Sequence, residues 1–255
     1  MITSLQNKSV KSWRKLKQNK ERQKTGLYLI EGEHLIEEAV RYAKDQIVQL
    51  IVRVDKESLI SQNAALKDIP SEIVTEEIAH AISDTPSNQG IFALMEQQSP
   101  KMPKELKGAY LCLDGLQDPG NVGTLIRSAD ACGLTGVVLG SGTVDLYNPK
   151  VIRSAQGSHW HLPVYSGDLF GWVHHFKDQS IPVYGSALDE QAKSYKQARS
   201  SDHFALIIGN EGSGMQEELL SVCDDILYIP IKGGAESLNA AIAGSILMFH
   251  LFDQE

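Results

Sequence analysis

The sequence predicts an α/β protein, with a parallel-sheet domain in its second half preceded by a smaller α/β unit. Three observations carry this. Continuous apolar runs such as AYLCLDGL, GVVLG and FALIIG alternate with segments of helical period, the pattern of a parallel sheet covered on both faces. Several of those runs end in glycine-rich turns. Between the halves, QSPKMPKELKG (98–108) has two prolines, three lysines and no apolar period, so 99–107 reads as a linker.

The elements follow in order. After a basic stretch at 8–24, Gly26 marks a turn, LYLIEG reads as a strand, EHLIEEAVRYAK as a helix and QIVQLIVR as a strand. ESLISQNAALK is predicted as one helix, SEIVT as a short strand, EEIAHAISD as a helix and GIFALMEQ as a strand, closing a first unit over 1–98. A second unit spans 108–255. There AYLCLDGL is a strand, VGTLIRSADAC a helix ended by Gly133, GVVLG a strand, and PKVIRSAQGSHW helical after Asn148-Pro149. LPVY, a helix around Leu169 to Phe176, IPVYGSAL, FALIIG, the helix MQEELLSVC and DILYIPI come next, and a closing helix starts from Glu236.

The three cysteines, Cys112, Cys132 and Cys223, are scattered, which argues for free thiols in a reducing compartment; no Cys/His spacing suggests zinc or another metal. The opening MITSLQNKSVKSWRKLK lacks the apolar core of a signal peptide. The longest apolar stretch, LNAAIAGSILMFHLF, is too short for a membrane span and carries Asn239 and His250. A cytoplasmic protein without membrane or metal partners is expected.

The net charge of −8 hides an asymmetry. Of 24 basic and 32 acidic residues, Lys8 to Lys24 holds eight and one, leaving 16 against 31 elsewhere. Such a concentrated segment is what phosphate contact needs; the plainer reading is a solvated helix face, docked by Trp13 and Leu16 at i and i+3.

Three strand-end loops of the second unit draw the eye, because parallel sheets bind ligands at the carboxyl ends of their strands. In DGLQDPGNVGTLIRSAD, Asn121 is placed as a helix N-cap, Val122, Leu125, Ile126 and Ala129 form the apolar stripe, and Arg127 sits on its flank. A plain cap and a surface ion pair would explain Asn121 and Arg127 equally well. LIIGNEGSGM spaces Gly209, Gly212 and Gly214 as G-x-x-G-x-G, neither a dinucleotide fingerprint nor a P-loop. Glu211 would repel a pyrophosphate there, so the ligand is not held by phosphates. The plainer reading is a tight turn with positive φ at its glycines. In YIPIKGGAESLNAAIAG, Glu236-Ser237 begin the last helix and Asn239 falls in its first turn.

The blocks DPGNVGTLIRSADACG, IIGNEGSGM and YIPIKGGAESLNAAIAGSI resemble, in order and spacing, the SpoU (TrmH-like) family of SPOUT-class RNA 2′-O-ribose methyltransferases, from about 108 to 251. The first unit, on LIEGEHLIEEA and DTPSNQGIFAL, resembles the ribosomal-protein-like, RNA substrate-binding domain fused to that family. The resemblance implies a deep trefoil knot, a homodimer and S-adenosylmethionine as cofactor. It assigns the cofactor to Gly209, Ile229 and Leu238, with Asn210 and Gly212 beside them. It gives Arg127 the activating role and makes Asn121, Glu211, Ser237 and Asn239 catalytic or positioning residues. NPKVIRSAQGSHWHLPV also matches, making Lys150 and Arg153 RNA contacts beside Lys11, Arg14, Lys15 and Lys17; His159 and His161 read as structural or surface residues rather than ligands.

Because arginine stays protonated in proteins, a literal general base is costly, and Arg127 is read either as that base or as a clamp on the target phosphate and developing oxyanion, roles the sequence does not separate. The fused domain points by analogy to ribosomal RNA, 23S in particular. Transfer RNA and a catalytically silent knotted RNA binder stand as alternatives. A dinucleotide-dependent oxidoreductase is set far behind for want of a glycine fingerprint after the first strand.

Overall fold

The structure is a computed structural model that describes residues 1–188 and 192–252. The chain divides into two compact units, one of residues 1–98 with 147–160 and one of residues 99–146 with those from 161 onward.

In the first unit the chain forms α1 (Lys8–Lys15), α2 (Asn19–Thr25), β1 (Leu27–Glu31), α3 (Glu33–Tyr42), β2 (Ile47–Arg53), α4 (Ser58–Gln62), β3 (Ser71–Val74), α5 (Glu76–Ile82) and β4 (Ile91–Glu96). The sheet runs β1-β4-β2-β3, with β4 antiparallel to both β1 and β2 and β3 parallel to β2. Val10, Trp13 and Leu16 bury one stripe of α1 in a core with Ile78 and Ile82 of α5 and Ile51, Phe92 and Leu94 of the sheet. That stripe docks the helix and leaves Lys8, Lys11, Arg14 and Lys15 exposed. Arg22 is spent internally: it is 2% exposed, and its Nη1 donates to the carbonyls of Leu16 and Lys17 at 2.8 and 3.0 Å. ESLISQNAALK is not one helix. Asn63 leaves helical geometry after α4, and its side chain accepts from Ala65 N to start a separate 3-10 turn, the competition that disfavours Asn inside helices.

The second half continues with β5 (Ala109–Asp114), α6 (Pro119–Cys132), β6 (Gly136–Leu139), α7 (Pro149–Ala155), β7 (Val164–Ser166), α8 (Leu169–Asp178), β8 (Val183–Ser186), β9 (Lys193–Ser194), β10 (Phe204–Gly209), α9 (Glu217–Ser221), β11 (Asp225–Tyr228) and α10 (Ala240–Leu251). All but α7 build the second unit. Its seven strands run β7-β6-β5-β10-β8-β11-β9, all parallel. Leu169, Trp172 and Phe176 of α8 and Leu219 of α9 share a core with Tyr110, Cys112, Val183 and Ile207. On the opposite face lie α6 and α10, which pack on each other and on β6 and β10. Both faces are covered, so β5 and β10 are buried along their whole length.

The stretch 147–160, read from sequence with the second domain, packs within the first unit. The Tyr147 and Tyr28 rings lie 4.4 Å apart. The Tyr147 hydroxyl accepts from Gln98 N at 2.7 Å and donates to Gln98 O at 2.8 Å. Trp160 Nε1 donates to the Tyr28 hydroxyl at 3.3 Å. PKVIRSAQGSHW breaks at Gln156, which adopts φ +51° and ends α7.

Two helix starts differ from the sequence reading. Helix α6 begins at Pro119, with Asp118 as its cap, Pro having no N–H to lose at the first position. Helix α10 begins at Ala240, not Glu236, and Asn239 caps it by accepting from Ala241 N and Ile242 N at 2.9 and 3.2 Å. A helix through Glu236–Leu238 would spend the flexibility of Gly233 and Gly234 and forfeit that cap.

Helix α10 approaches α6 closely. A Cβ on Gly244 would lie 2.5 Å from Leu125 Cδ2, and Ser245 Oγ donates to Ser128 Oγ at 2.8 Å. The 195–201 segment also meets α10: Ser201 N donates to Leu251 O at 2.8 Å, and the Tyr195 ring meets His250 edge-on. Ile242, Ile246 and Phe249 remain 54%, 36% and 53% exposed along the helix. Among the described residues, no helix is long and apolar enough to cross a membrane. The three thiols are free. Burial pushes Cys132 and Cys223 up to about 11 and Cys112 higher still, so all three stay protonated and inert at neutral pH.

Because Gly244 sets the α6–α10 distance, Gly244→Val is expected to lower stability by about 1–3 kcal/mol. Urea unfolding followed by circular dichroism measures this; an unchanged midpoint would contradict the packing described.

Candidate active site

The site is built where β5, β10 and β11 end. Glu211, two residues past β10, reaches the head of α6. Its Oε2 accepts from Gln117 N at 3.1 Å, and its Oε1 accepts from Asp118 N at 3.2 Å and Asn121 Nδ2 at 3.0 Å. The Asn121 amide is available because Asp118 does the capping, accepting from Asn121 N at 2.9 Å. This corrects the expectation of Asn121 as the cap. With its amide nitrogen on the carboxylate, Asn121 turns its Oδ1 outward, where it accepts from Asn239 Nδ2 at 2.9 Å. Asn239 in turn spends its own oxygen on α10. A single directed chain of hydrogen bonds thus runs from the head of α10 through Asn239 and Asn121 to Glu211, and each amide can point only one way because an ionised carboxylate only accepts.

Burial alone would raise the Glu211 pKa. The Asn121 amide and the backbone N–H groups of the loops outweigh that burial and hold the carboxyl below its ordinary value of 4.5. A depressed pKa means the interaction is complete above the ordinary value and is lost as pH falls through the folded one. Glu211 is therefore ionised at neutral pH.

The glycines around Glu211 serve the chain itself. A Cβ on Gly209 would sit 2.3 Å from Met215 N, because the loop folds back onto it. Asn210 and Gly214 exchange backbone hydrogen bonds at 3.0 Å. Asn210 Oδ1 accepts from Gly212 N and Ser213 N at 2.9 and 3.1 Å, and its Nδ2 donates to Gly115 O at 2.7 Å. Positive φ was expected at all three glycines of the loop; only Gly214 has it, at +73°. Gly209 is demanded by close approach, and Gly212 has ordinary backbone and room for a Cβ.

Beside this network lies a cleft between the ends of β8 and β11, lined by Ser186, Ala187, Leu188, Ile229, Ser237 and Leu238 among others. Among the described residues that line it, none is charged. Apolar walls with the hydroxyl-bearing Ser186, Tyr228 and Ser237 suit the uncharged body of a nucleoside rather than a phosphate. Of the residues assigned to the cofactor, Ile229 and Leu238 meet here, joined by Ser237, while Gly209, Asn210 and Gly212 belong to the Glu211 loop. The β8 wall was missed because the adjacency of β8 and β11, far apart in sequence, has no local signature. The Gln117 and Asp118 amides were missed because backbone donors leave no mark in the residue pattern.

Arg127 stands exposed on α6, with no hydrogen bond or ion pair to any described residue; the surface ion pair that would have explained it away is not there. In the first unit Lys11, Arg14 and Lys15 are exposed. Lys17 Nζ donates to Ser83 O, and Arg153 pairs with Asp84 at 2.7 Å, so both are partly occupied. Lys150 lies in the first turn of α7. His159 is buried against the Trp160 ring at 4.0 Å, and His161, at the surface, meets Asp130 at 2.8 Å. No group of three or more metal-ligating side chains occurs among the described residues.

Since Glu211 stays ionised, cofactor affinity is expected to be flat between about pH 6 and 9 and to fall only below the ordinary carboxyl value. Isothermal titration across that range measures it. A transition near neutrality that Glu211→Gln abolishes would contradict the arrangement.

The SpoU rRNA methylase family profile matches residues 108–249, and that of the MRM3-like substrate binding domain matches 7–93. The chain is 44% identical over 250 residues, covering 98% of each sequence, to the 23S rRNA (guanosine(2553)-2′-O)-methyltransferase RlmP of Bacillus subtilis. Among solved structures it resembles an AdoMet-bound rRNA methyltransferase from Sinorhizobium meliloti, with TM-score 0.87 and 27% identity over 98% of this chain and 96% of that one. It also resembles a putative TrmH-family RNA methyltransferase from Porphyromonas gingivalis, with TM-score 0.85 and 29% identity over 98% of both chains. The Glu211–Asn121–Asn239 network lies within the first of these matches, and the chain belongs to the SpoU rRNA methylase family.

Proposed function

We propose that the protein is an S-adenosylmethionine-dependent ribose 2′-O-methyltransferase of ribosomal RNA, acting on a guanosine of 23S rRNA as its Bacillus subtilis relative is named for doing. The observation that carries this reading is the directed hydrogen-bond chain that brings Glu211, Asn121 and Asn239 together beside a largely apolar cleft. S-adenosylmethionine, held there, would supply a methyl group on a cationic sulfur for transfer to a ribose 2′-oxygen, leaving S-adenosylhomocysteine. Ile229 and Leu238 would wall the adenosyl group, with Ser186 and Ser237 offering hydroxyls. Glu211, ionised and without a cationic partner among the described residues, adds negative potential at a site for a positive ligand.

Arg127 presents an unspent guanidinium on the flank of α6. Its fork suits the target phosphate and the charge that develops on the 2′-oxygen as its proton leaves; a fixed positive charge there also lowers the cost of losing that proton. Asn121 and Asn239, each locked in one amide orientation, hold the head of α6 and thereby the base of Arg127. Lys11, Arg14 and Lys15 would give the first unit affinity for RNA phosphates, joined by Lys17, Lys150 and Arg153, while unpaired bases give specificity.

Three finer readings belong to the same proposal. The exposed apolar row Ile242, Ile246 and Phe249 favours a homodimer. Contacts of α10 with α6 and with the 195–201 segment favour a C-terminal chain threaded as a trefoil knot. The inert thiols suit a cytoplasmic enzyme.

Arg127→Ala is expected to lower kcat for methyl transfer by about 10²–10³-fold, the loss typical of a removed oxyanion donor, with folding and cofactor affinity unchanged. Methyl-labelled S-adenosylmethionine and unmodified 23S rRNA, with recovery of 2′-O-methylguanosine, measure it. Label appearing in transfer RNA instead would overturn the substrate, and an active Arg127→Ala would overturn the role.

A further inference from the structure

We infer that Asp114 is a positioning residue for methyl transfer, fixing Glu211 against the head of α6; this rests on the activity proposed above. Asp114 is the last residue of β5 and only 2% exposed. Its carboxylate accepts twice from one residue, from Gln216 N at 2.8 Å and from Gln216 Nε2 at 2.6 Å. Among the described residues it has no ion-pair partner. Burying a carboxylate on neutral donors alone is costly, and the second unit's other buried strand ends manage without one, so the position asks for what a carboxylate provides.

What it provides is closure. The Glu211 loop leaves the sheet at Gly209, which lies opposite Asp114 in the parallel ladder. It returns at Gln216, the cap position of α9, which Asp114 holds through both nitrogens. Both feet of the loop therefore stand on one residue. Asn210 adds a tie to Gly115 O, the neighbour of Asp114. Glu211 lies between those feet, and the partners it must meet, Gln117, Asp118 and Asn121, follow Asp114 along the same chain. Asp114 thus references the carboxylate and its donors to a common origin. Releasing Gln216 frees the returning foot, and Glu211 then drifts from Asn121, which loses its fixed orientation toward Asn239.

The test uses the full chain, methyl-labelled S-adenosylmethionine and 23S rRNA, with kcat and cofactor affinity measured separately. Asp114→Ala is expected to lower kcat by about 10²-fold, the scale for misplaced groups, with cofactor affinity within about threefold. Asp114→Asn is expected to recover most of that rate, because a carboxamide pairs with the Gln216 backbone and side-chain amide through two hydrogen bonds. Gln216 is exposed, so Gln216→Ala leaves the core intact and is expected to lower kcat about tenfold. A Gln216→Ala enzyme at full rate overturns the inference, as does an Asp114→Ala protein that loses kcat and cofactor affinity in equal proportion. Wild-type protein that transfers no label overturns the activity and the inference together; active wild type with unaffected variants overturns the inference alone.

Discussion

The ionised carboxylate of Glu211, held by two backbone N–H groups and the Asn121 amide, is the interaction on which the rest of the site depends. A helix head carries unsatisfied N–H groups and a positive end of its dipole. Glu211 supplies the complementary charge to the start of α6 from the loop after β10 rather than from the helix itself. With Asp118 doing the capping, Asn121 is free to join α6 to α10 through Asn239. Three loops that are separate in sequence become one body because Glu211 gathers donors from the α6 loop and Asn121 passes the link on to Asn239.

Much of the fold was legible because its physics is local. Continuous apolar strands and helices of regular period located nearly every element of the second unit, and Trp13 and Leu16 marked the docking face of α1. The misreadings were also local in cause. Asn63 broke a predicted helix by capping its own turn, and Asp118-Pro119 started α6 ahead of the residue chosen as its cap. Gly233 and Gly234 kept the chain open until Asn239. The pairing of β8 with β11 and the docking of 147–160 on the first unit depend on contacts between distant residues, which no window of sequence contains.

The site was legible in a different sense. Its residue types stood out as three loops, but the reasons for them did not. Glycines read as space for a ligand turned out, at Gly209, to make space for the chain itself. The acidic residue that ruled out a phosphate-binding loop is a structural acceptor as well as a source of negative potential. Arg127 was weighed against a plain surface ion pair, and among the described residues it has no such partner. In the first unit the basic segment divides by function: Arg22 closes a turn, Lys17 is tied to Ser83, and the outward row of α1 carries the free charge.

The central claim is that Glu211, Asn121 and Asn239 act as a unit, and a double-mutant cycle tests it most directly. Glu211→Gln, Asn239→Ala and the double variant would be compared in kcat/KM for methyl transfer to 23S rRNA, with folding monitored in parallel. Because breaking either end releases the same intermediate Asn121, the double variant is expected to lose little more than the worse single one. Losses that multiply independently would contradict the account.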